Sequence, residues 1–247
     1  MSVLVSNNQG ADAINTSLRI LPIGDSITWG HGSSDGNGYR LRLLNLLSGY
    51  SVTYLGHLHS GDMKNNNNEG YQAMEINEIK TYVKGNGTLA QRPNLVLILA
   101  GTNDINHDHA ASTAPERLGS LIDLITTECP EAAVIVSEIT PIWGADHQAR
   151  VDVFNAALQG IVAMRNSSSS TNTSVLALKM SSYVSANDLG DGLHPTDIGY
   201  QKMANGWKDG IMQAAERGWL NDGSRTWDGL DSSFMFLACF WSLIIGF

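Results

Sequence analysis

Short apolar runs rich in β-branched residues recur along the chain, and segments with helical spacing fall between them. The runs are Leu18–Ile23, Ser51–Leu55, Leu95–Ala100, Ala133–Ile139 and Val175–Lys179. The longer ones are nearly continuous in apolar side chains, so both faces of each strand need cover. The intervening segments supply it. Tyr39–Leu47 carries Leu41, Leu43, Leu44 and Leu47, and Met74–Val83 carries Ile76, Ile79 and Val83. Pro115–Glu128 carries Leu118, Leu121, Ile122 and Ile125, with Pro115 suited to a first helical turn. Val151–Met164 carries Ala157, Leu158, Ile161 and Val162, and Asp197–Arg217 closes the series. Alternating strand and helix, joined by right-handed crossovers, predicts a parallel sheet between helical layers: a three-layer α/β/α domain. Ligands of such sheets bind at the carboxyl ends of the strands, so a catalytic residue should directly follow a strand.

The 247 residues, 43% of them hydrophobic, suffice for one sizeable core. The expected domain spans 18–220, with an N-terminal extension at 1–17 and a tail at 221–247. Two polar stretches, Asn65–Asn68 and Ser167–Ser174, read as loops. A net charge of -9, from 24 acidic against 15 basic residues, with no strongly basic stretch, excludes nucleic acid as a partner. The two cysteines, Cys129 and Cys239, have no metal-type spacing; Cys129 reads as a buried free thiol, with a Cys129–Cys239 disulfide left open. Met1–Ser17 lacks a basic segment followed by an apolar one, so no secretory leader is read there. Phe234–Phe247 is apolar but short of the ~20 residues of a spanning helix, so no membrane span is expected. A mostly polar spacer, Ser224–Ser233, precedes it, and the arrangement is similar to a lipid-anchor attachment signal; an atypical terminus is the other reading. Sequons for N-glycosylation occur at Asn15, Asn86, Asn166 and Asn172.

Four strand ends carry groups with complementary chemistry. Ser26, in Gly24-Asp25-Ser26, follows the first run; its hydroxyl becomes a nucleophile only when a base removes the proton. Asp25-Ser26 could equally cap a helix. Asp191-Gly192-Leu193-His194 follows the fifth run: His194 can take the Ser26 proton while Asp191 curls back to hold the other ring nitrogen. Asn103, in Gly101-Thr102-Asn103-Asp104 after the third run, offers an amide donor to an oxyanion, and Gly56 after the second offers a backbone N–H. Singly each has a bland explanation. Together they supply nucleophile, base, orienting acid and oxyanion donors.

The order Ser26, Gly56, Asn103, His194 resembles the four blocks of the SGNH (GDSL-type) hydrolases, over Leu18 to Trp207. GDSITWG, GTNDIN and DGLHPTDIGY carry the resemblance, while the second block rests on Tyr54-Leu55-Gly56 alone. It implies a flavodoxin-like fold with a five-stranded parallel sheet in the order 2-1-3-4-5. It also implies ester hydrolysis without metal or cofactor, and an oxyanion hole of Ser26 N–H, Gly56 N–H and the Asn103 side chain. Within that superfamily RILPIGDSITWG, Asn68-Glu69-Gly70-Tyr71 and RPNLVLILAGTNDIN look most like carbohydrate esterase family 3, acetyl esterases of which many act on acetylated xylan. In that family the Glu-Gly pair is usually preceded by His and followed by a further glycine; here Asn68 precedes it and Ala73 lies in the following stretch.

The expected partner is therefore a small-molecule or polysaccharide ester, acted on by a monomer, and the resemblance and sequons favour an extracellular or cell-surface setting. A lipolytic enzyme of the same fold (lysophospholipase or thioesterase) and a non-catalytic carbohydrate-binding protein are the competing functions. Trp29 and Trp143 can border the cleft and stack on a sugar, or simply pack. His57, His59, His107 and His109 read as solvated loop residues rather than metal ligands. Asp25 and Asp104 read as capping or supporting groups, and Glu138 and Asp152 as weaker rivals to Asp191 for the orienting role.

Overall fold

The structure is a computed structural model that describes residues 17–167 and 173–220. The 1–16 segment, the 221–247 tail with Cys239, and the Asn15 and Asn172 sequons lie outside those residues. The elements run β1 (Ser17–Gly24), α1 (Ser26–Trp29), α2 (Tyr39–Leu46), β2 (Ser51–Tyr54), β3 (Leu58–His59), β4 (Asn67–Gly70) and α3 (Ile76–Gly85). They continue β5 (Leu95–Leu99), α4 (Thr102–Asn106), α5 (Ala114–Glu128), β6 (Ala133–Ser137), α6 (Ala145–Asn166), β7 (Ser174–Leu178) and α7 (Asp197–Glu216).

All five expected runs are parallel strands, ordered β2-β1-β5-β6-β7. That is the anticipated 2-1-3-4-5 order. Side chains alternate between two apolar faces, as a doubly covered sheet requires. Leu21, Ile23, Val96 and Ile98 pack with Ile79 of α3, Leu121 of α5 and Leu158 of α6. Leu18, Ile20, Leu95 and Leu97 pack with Leu43 of α2 and Trp207 of α7.

The sheet differs from expectation in one place that bears on the site. It has seven strands, because the supposed loop Asn65–Asn68 leads into β4, which pairs with β3 antiparallel and with the carboxyl half of β1. β2 pairs with β1 only through Tyr54 opposite Ile20; β4 then takes over that edge, with Glu69 opposite Ile23 and Gly70 opposite Gly24. The polar sequence hid this strand because its side chains satisfy one another. Asn68 is fully buried, its amide donates to Ser60 Oγ at 3.0 Å and the Asn66 carbonyl at 3.1 Å, and its Oδ1 accepts the Gly70 N–H at 2.9 Å. Buried polar groups paired in this way leave no hydrophobic signature.

Cys129 is buried and has no disulfide partner among the described residues, and burial pushes its thiol up to about 11. The amides of two sequons serve the fold: Asn86 Nδ2 donates to Glu69 at 2.9 Å, and Asn166 Nδ2 to the Val175 carbonyl at 2.8 Å. Among the described residues no helix is long and apolar enough to cross a membrane.

Candidate active site

β1 ends at Gly24, where a side chain would meet the Leu99 carbonyl at 2.2 Å and Thr28 Oγ1 at 2.4 Å, so only glycine lets the chain turn there. Asp25 then caps α1, its Oδ1 accepting the Ile27 N–H at 2.9 Å. Ser26 is left at the carboxyl edge of the sheet, 7% exposed. At the far end of the chain, the loop between β7 and α7 is pinched by a bridge between Leu189 and Pro195 and by the Gly190 N–H donating to the His194 carbonyl at 2.8 Å. This loop delivers His194 to the serine. Ser26 Oγ stands 2.9 Å from His194 Nε2, and His194 Nδ1 stands 2.8 Å from Asp191 Oδ2. Asp191 Oδ1 accepts the N–H groups of His194 and Leu193 at 2.8 and 3.0 Å, so the carboxylate is fixed before it meets the ring.

Desolvation works to raise the Asp191 carboxyl. The backbone and side-chain hydrogen bonds from His194, with that from Leu193, outweigh it and hold the group at about 2. Asp25 goes the other way. It is wholly buried, and desolvation lifts it from 3.8 to about 6 although the Ile27 N–H and the His194 charge pull it down.

Asn103 lies one residue into α4, directly after β5, and is 5% exposed. One proton of its Nδ2 goes to the Met74 carbonyl at 2.9 Å. Met74 closes a tight turn, its N–H donating to the Tyr71 carbonyl at 3.2 Å, and the Tyr71 N–H is bonded in turn to the Gly24 carbonyl at 2.9 Å. The turn therefore sits between the end of β1 and Asn103. Its third residue is Ala73, with φ 61°, the left-handed region usually left to glycine at this position. Among the described residues no acceptor is recorded for the Ala73 N–H.

Gly56 stands apart from this group. β2 leaves β1 after Ile20, well short of Ser26, and the Gly56 N–H is donated to Gln91 Oε1 at 3.0 Å. Gly70 of β4 is the glycine against the Ser26–Trp29 segment: a side chain there would lie 2.4 Å from the Trp29 nitrogen. Sequence alone favours Gly56 because it ends an apolar run, whereas the run that reaches the site is the polar β4. Ala73, where the motif of the resembled family has a further glycine, is the sequence signal that marks this turn.

The supporting residues are mostly buried and polar. Glu69 is fully buried and accepts from the His57 N–H at 2.7 Å, from Asn86, and from the Tyr71 hydroxyl, which anchors the start of the turn. Asp104 anchors the start of α3, just beyond the turn: its Oδ2 accepts the Ile76 N–H at 3.1 Å and its Oδ1 pairs with Arg117 at 2.6 Å. Arg40, which carries no signal in the sequence, is fully buried and donates to the carbonyls of Trp29, Ser60 and Asn66. It ties the nucleophile segment to the β3–β4 loop.

The two tryptophans differ. Trp29 is half-buried and its carbonyl accepts from Arg40 and Ser60, so its backbone is tied to the segment around β3 and β4. Trp143 is 53% exposed and its ring lies against Gly192 of the base loop, held by Nε1 donating to the Ala186 carbonyl at 2.9 Å. Glu138 accepts from Ser181, and Asp152 from Gln148, so neither reaches His194. His57 and His109 pair with Glu69 and Glu75, and His59 contacts Asn66.

A family model described as GDSL-like Lipase/Acylhydrolase matches residues 23–202. A multidomain esterase of Ruminococcus flavefaciens is 28% identical over 245 residues, which cover 85% of this chain and 30% of that protein. The chain thus spans less than a third of the length of that relative. Among solved structures, a Clostridium thermocellum family 3 carbohydrate esterase is similar at TM-score 0.69 and 29% identity, covering 81% of this chain and 98% of the other. A carbohydrate esterase family 3 protein of Talaromyces cellulolyticus shares the fold at TM-score 0.67 and 20% identity, over 81% and 99% of the two chains.

Proposed function

The chain belongs to the GDSL-like lipase/acylhydrolase family, and from that premise we propose that it is a serine esterase that removes acetyl groups from acetylated carbohydrate through an acyl-enzyme. The observation that carries the chemistry is the continuous series Ser26 Oγ, His194 Nε2, His194 Nδ1, Asp191 Oδ2, with steps of 2.9 and 2.8 Å at its two hydrogen bonds.

Ser26 Oγ attacks the ester carbonyl carbon as His194 Nε2 takes its proton, and Asp191 stabilises the imidazolium. The carbonyl oxygen becomes an oxyanion. Its donors are the Ser26 N–H, the second proton of Asn103 Nδ2 and, in place of Gly56, the Ala73 N–H. Collapse expels the sugar alcohol, which leaves with the proton from His194. Water, deprotonated by the same ring, then attacks the acetyl-serine and releases acetate.

Support for an acetylated sugar comes from the likeness to the family 3 carbohydrate esterase of Clostridium thermocellum and from Trp143. Its exposed ring beside the base loop offers a stacking face for a pyranose. A panel of esters from acetyl to octanoyl, with acetylated xylo-oligosaccharides alongside, tests the reading. It predicts kcat/KM falling steeply with chain length; a rise toward octanoyl would replace it with a lipolytic function.

A further inference from the structure

His31 is a histidine the reaction does not use, and it lies on the base. It follows α1 on a loop between Gly30 and Gly32, with its side chain exposed, and its ring centroid is 4.3 Å from that of His194 at an angle of 48°. Asp191 Oδ2 stands 2.8 Å from His194 Nδ1, and one ligand atom from each of the three residues can be chosen so that all lie within 4.8 Å of one another. The side chain of Asp191 is 54% exposed and that of His194 13%, so the group is open to solvent.

We propose that His31, Asp191 and His194 form an inhibitory site for a transition-metal dication, Zn²⁺ foremost, which silences the esterase by occupying its base. This rests on the reading of His194 as general base. Two imidazoles and one carboxylate are a donor set for borderline metals of the Zn²⁺ and Cu²⁺ kind, whereas Mg²⁺ and Ca²⁺ take oxygen ligands. Metal–ligand bonds of about 2.0–2.2 Å bring tetrahedral ligand atoms to about 3.4 Å from one another. A separation of 4.8 Å must therefore close by about 1.4 Å, which the exposed His31 side chain can supply by rotation. Solvent completes the fourth position.

Inhibition follows from the ring itself. A neutral imidazole has one basic lone pair. A metal on Nε2 takes it directly. A metal on Nδ1, in place of the proton shared with Asp191, leaves the remaining proton on Nε2. In either case His194 can no longer accept the Ser26 proton. His31 adds the third ligand that the His194–Asp191 pair lacks, and it can be removed without touching the reacting groups.

Two readouts separate the metal site from the esterase reading. The first is ZnCl₂ titration of the Ser26→Ala protein against a chromophoric chelator, which needs no turnover. One tight equivalent is expected, weakened by about ten-fold or more when His31→Ala or His31→Gln is added. The second is hydrolysis of a chromogenic acetyl ester under ZnCl₂. Wild type should lose activity and regain it with EDTA, the His31 variants should need about ten-fold more zinc, and MgCl₂ should do nothing. Equal zinc sensitivity in wild type and both His31 variants, or no zinc equivalent on the Ser26→Ala protein, overturns the proposal. A protein that binds zinc through His31 yet hydrolyses no ester supports the metal site and overturns the esterase reading instead.

Discussion

The side-chain amide of Asn103 donates to the Met74 carbonyl at 2.9 Å, which locks the block following β5 to the turn following β4. One amide proton is spent on position, and the proposed oxyanion role uses the other. Asn103→Ala removes both. Deleting one oxyanion donor typically lowers kcat by about 10²–10³ with little change in ground-state binding. Steady-state kinetics on an acetyl ester should show that split; a change confined to KM would place Asn103 outside the oxyanion site.

Ala73 holds a left-handed backbone with φ 61° inside that turn. For a residue with a Cβ this conformation costs about 1–2 kcal/mol, and the greater unfolded-state freedom of glycine returns about half of it. Ala73→Gly should therefore stabilise the fold by about 0.5–1 kcal/mol while the N–H, and with it kcat, is kept. Chemical denaturation with parallel kinetics checks both. A less stable variant would mean that the methyl group packs usefully.

Asp25 makes stability depend on pH. Its folded value, raised from 3.8 to about 6, means that the native state holds a proton more tightly than the unfolded chain. The cost of the buried charge is absent below the unfolded value, grows as pH rises through the window between the two, and is complete above about 6. A shift of about two units corresponds to about 3 kcal/mol. Asp25→Asn should be more stable than wild type in mildly alkaline buffer, and the advantage should fade as pH is lowered to the unfolded value. Thermal melts across that window test the sign.

Trp143 connects binding with the base loop through its contact on Gly192. Trp143→Ala should raise KM on acetylated oligosaccharide about three- to ten-fold and change kinetics on a minimal acetyl ester far less. Equal losses on both substrates would assign the ring to loop support alone.

The strand order and the two-faced core are legible in the sequence because β1, β5 and β6 are continuous apolar runs, and only a doubly covered parallel sheet buries them. Ser26 and Asn103 are legible because each follows such a run almost directly, and Asp191 and His194 because an acid three residues before a histidine stands in the loop between β7 and α7. The β3–β4 edge is not. Asn68 and Glu69 are buried through hydrogen bonds rather than apolar area, so the strand that reaches the nucleophile carries the composition of a loop, and Gly56 stands out in place of Ala73. Arg40 and His31 escape notice for a related reason: their contacts join segments distant in sequence, and no local pattern marks such pairs.

In the proposed mechanism Ser26 carries the acyl group. Rapid acid quench of the enzyme with a chromogenic acetyl ester, followed by peptide mass spectrometry, tests it directly. One added acetyl group is expected on the peptide containing Ser26, and neither adduct nor turnover in Ser26→Ala. An acetyl group on another residue, or wild-type turnover by Ser26→Ala, would contradict it.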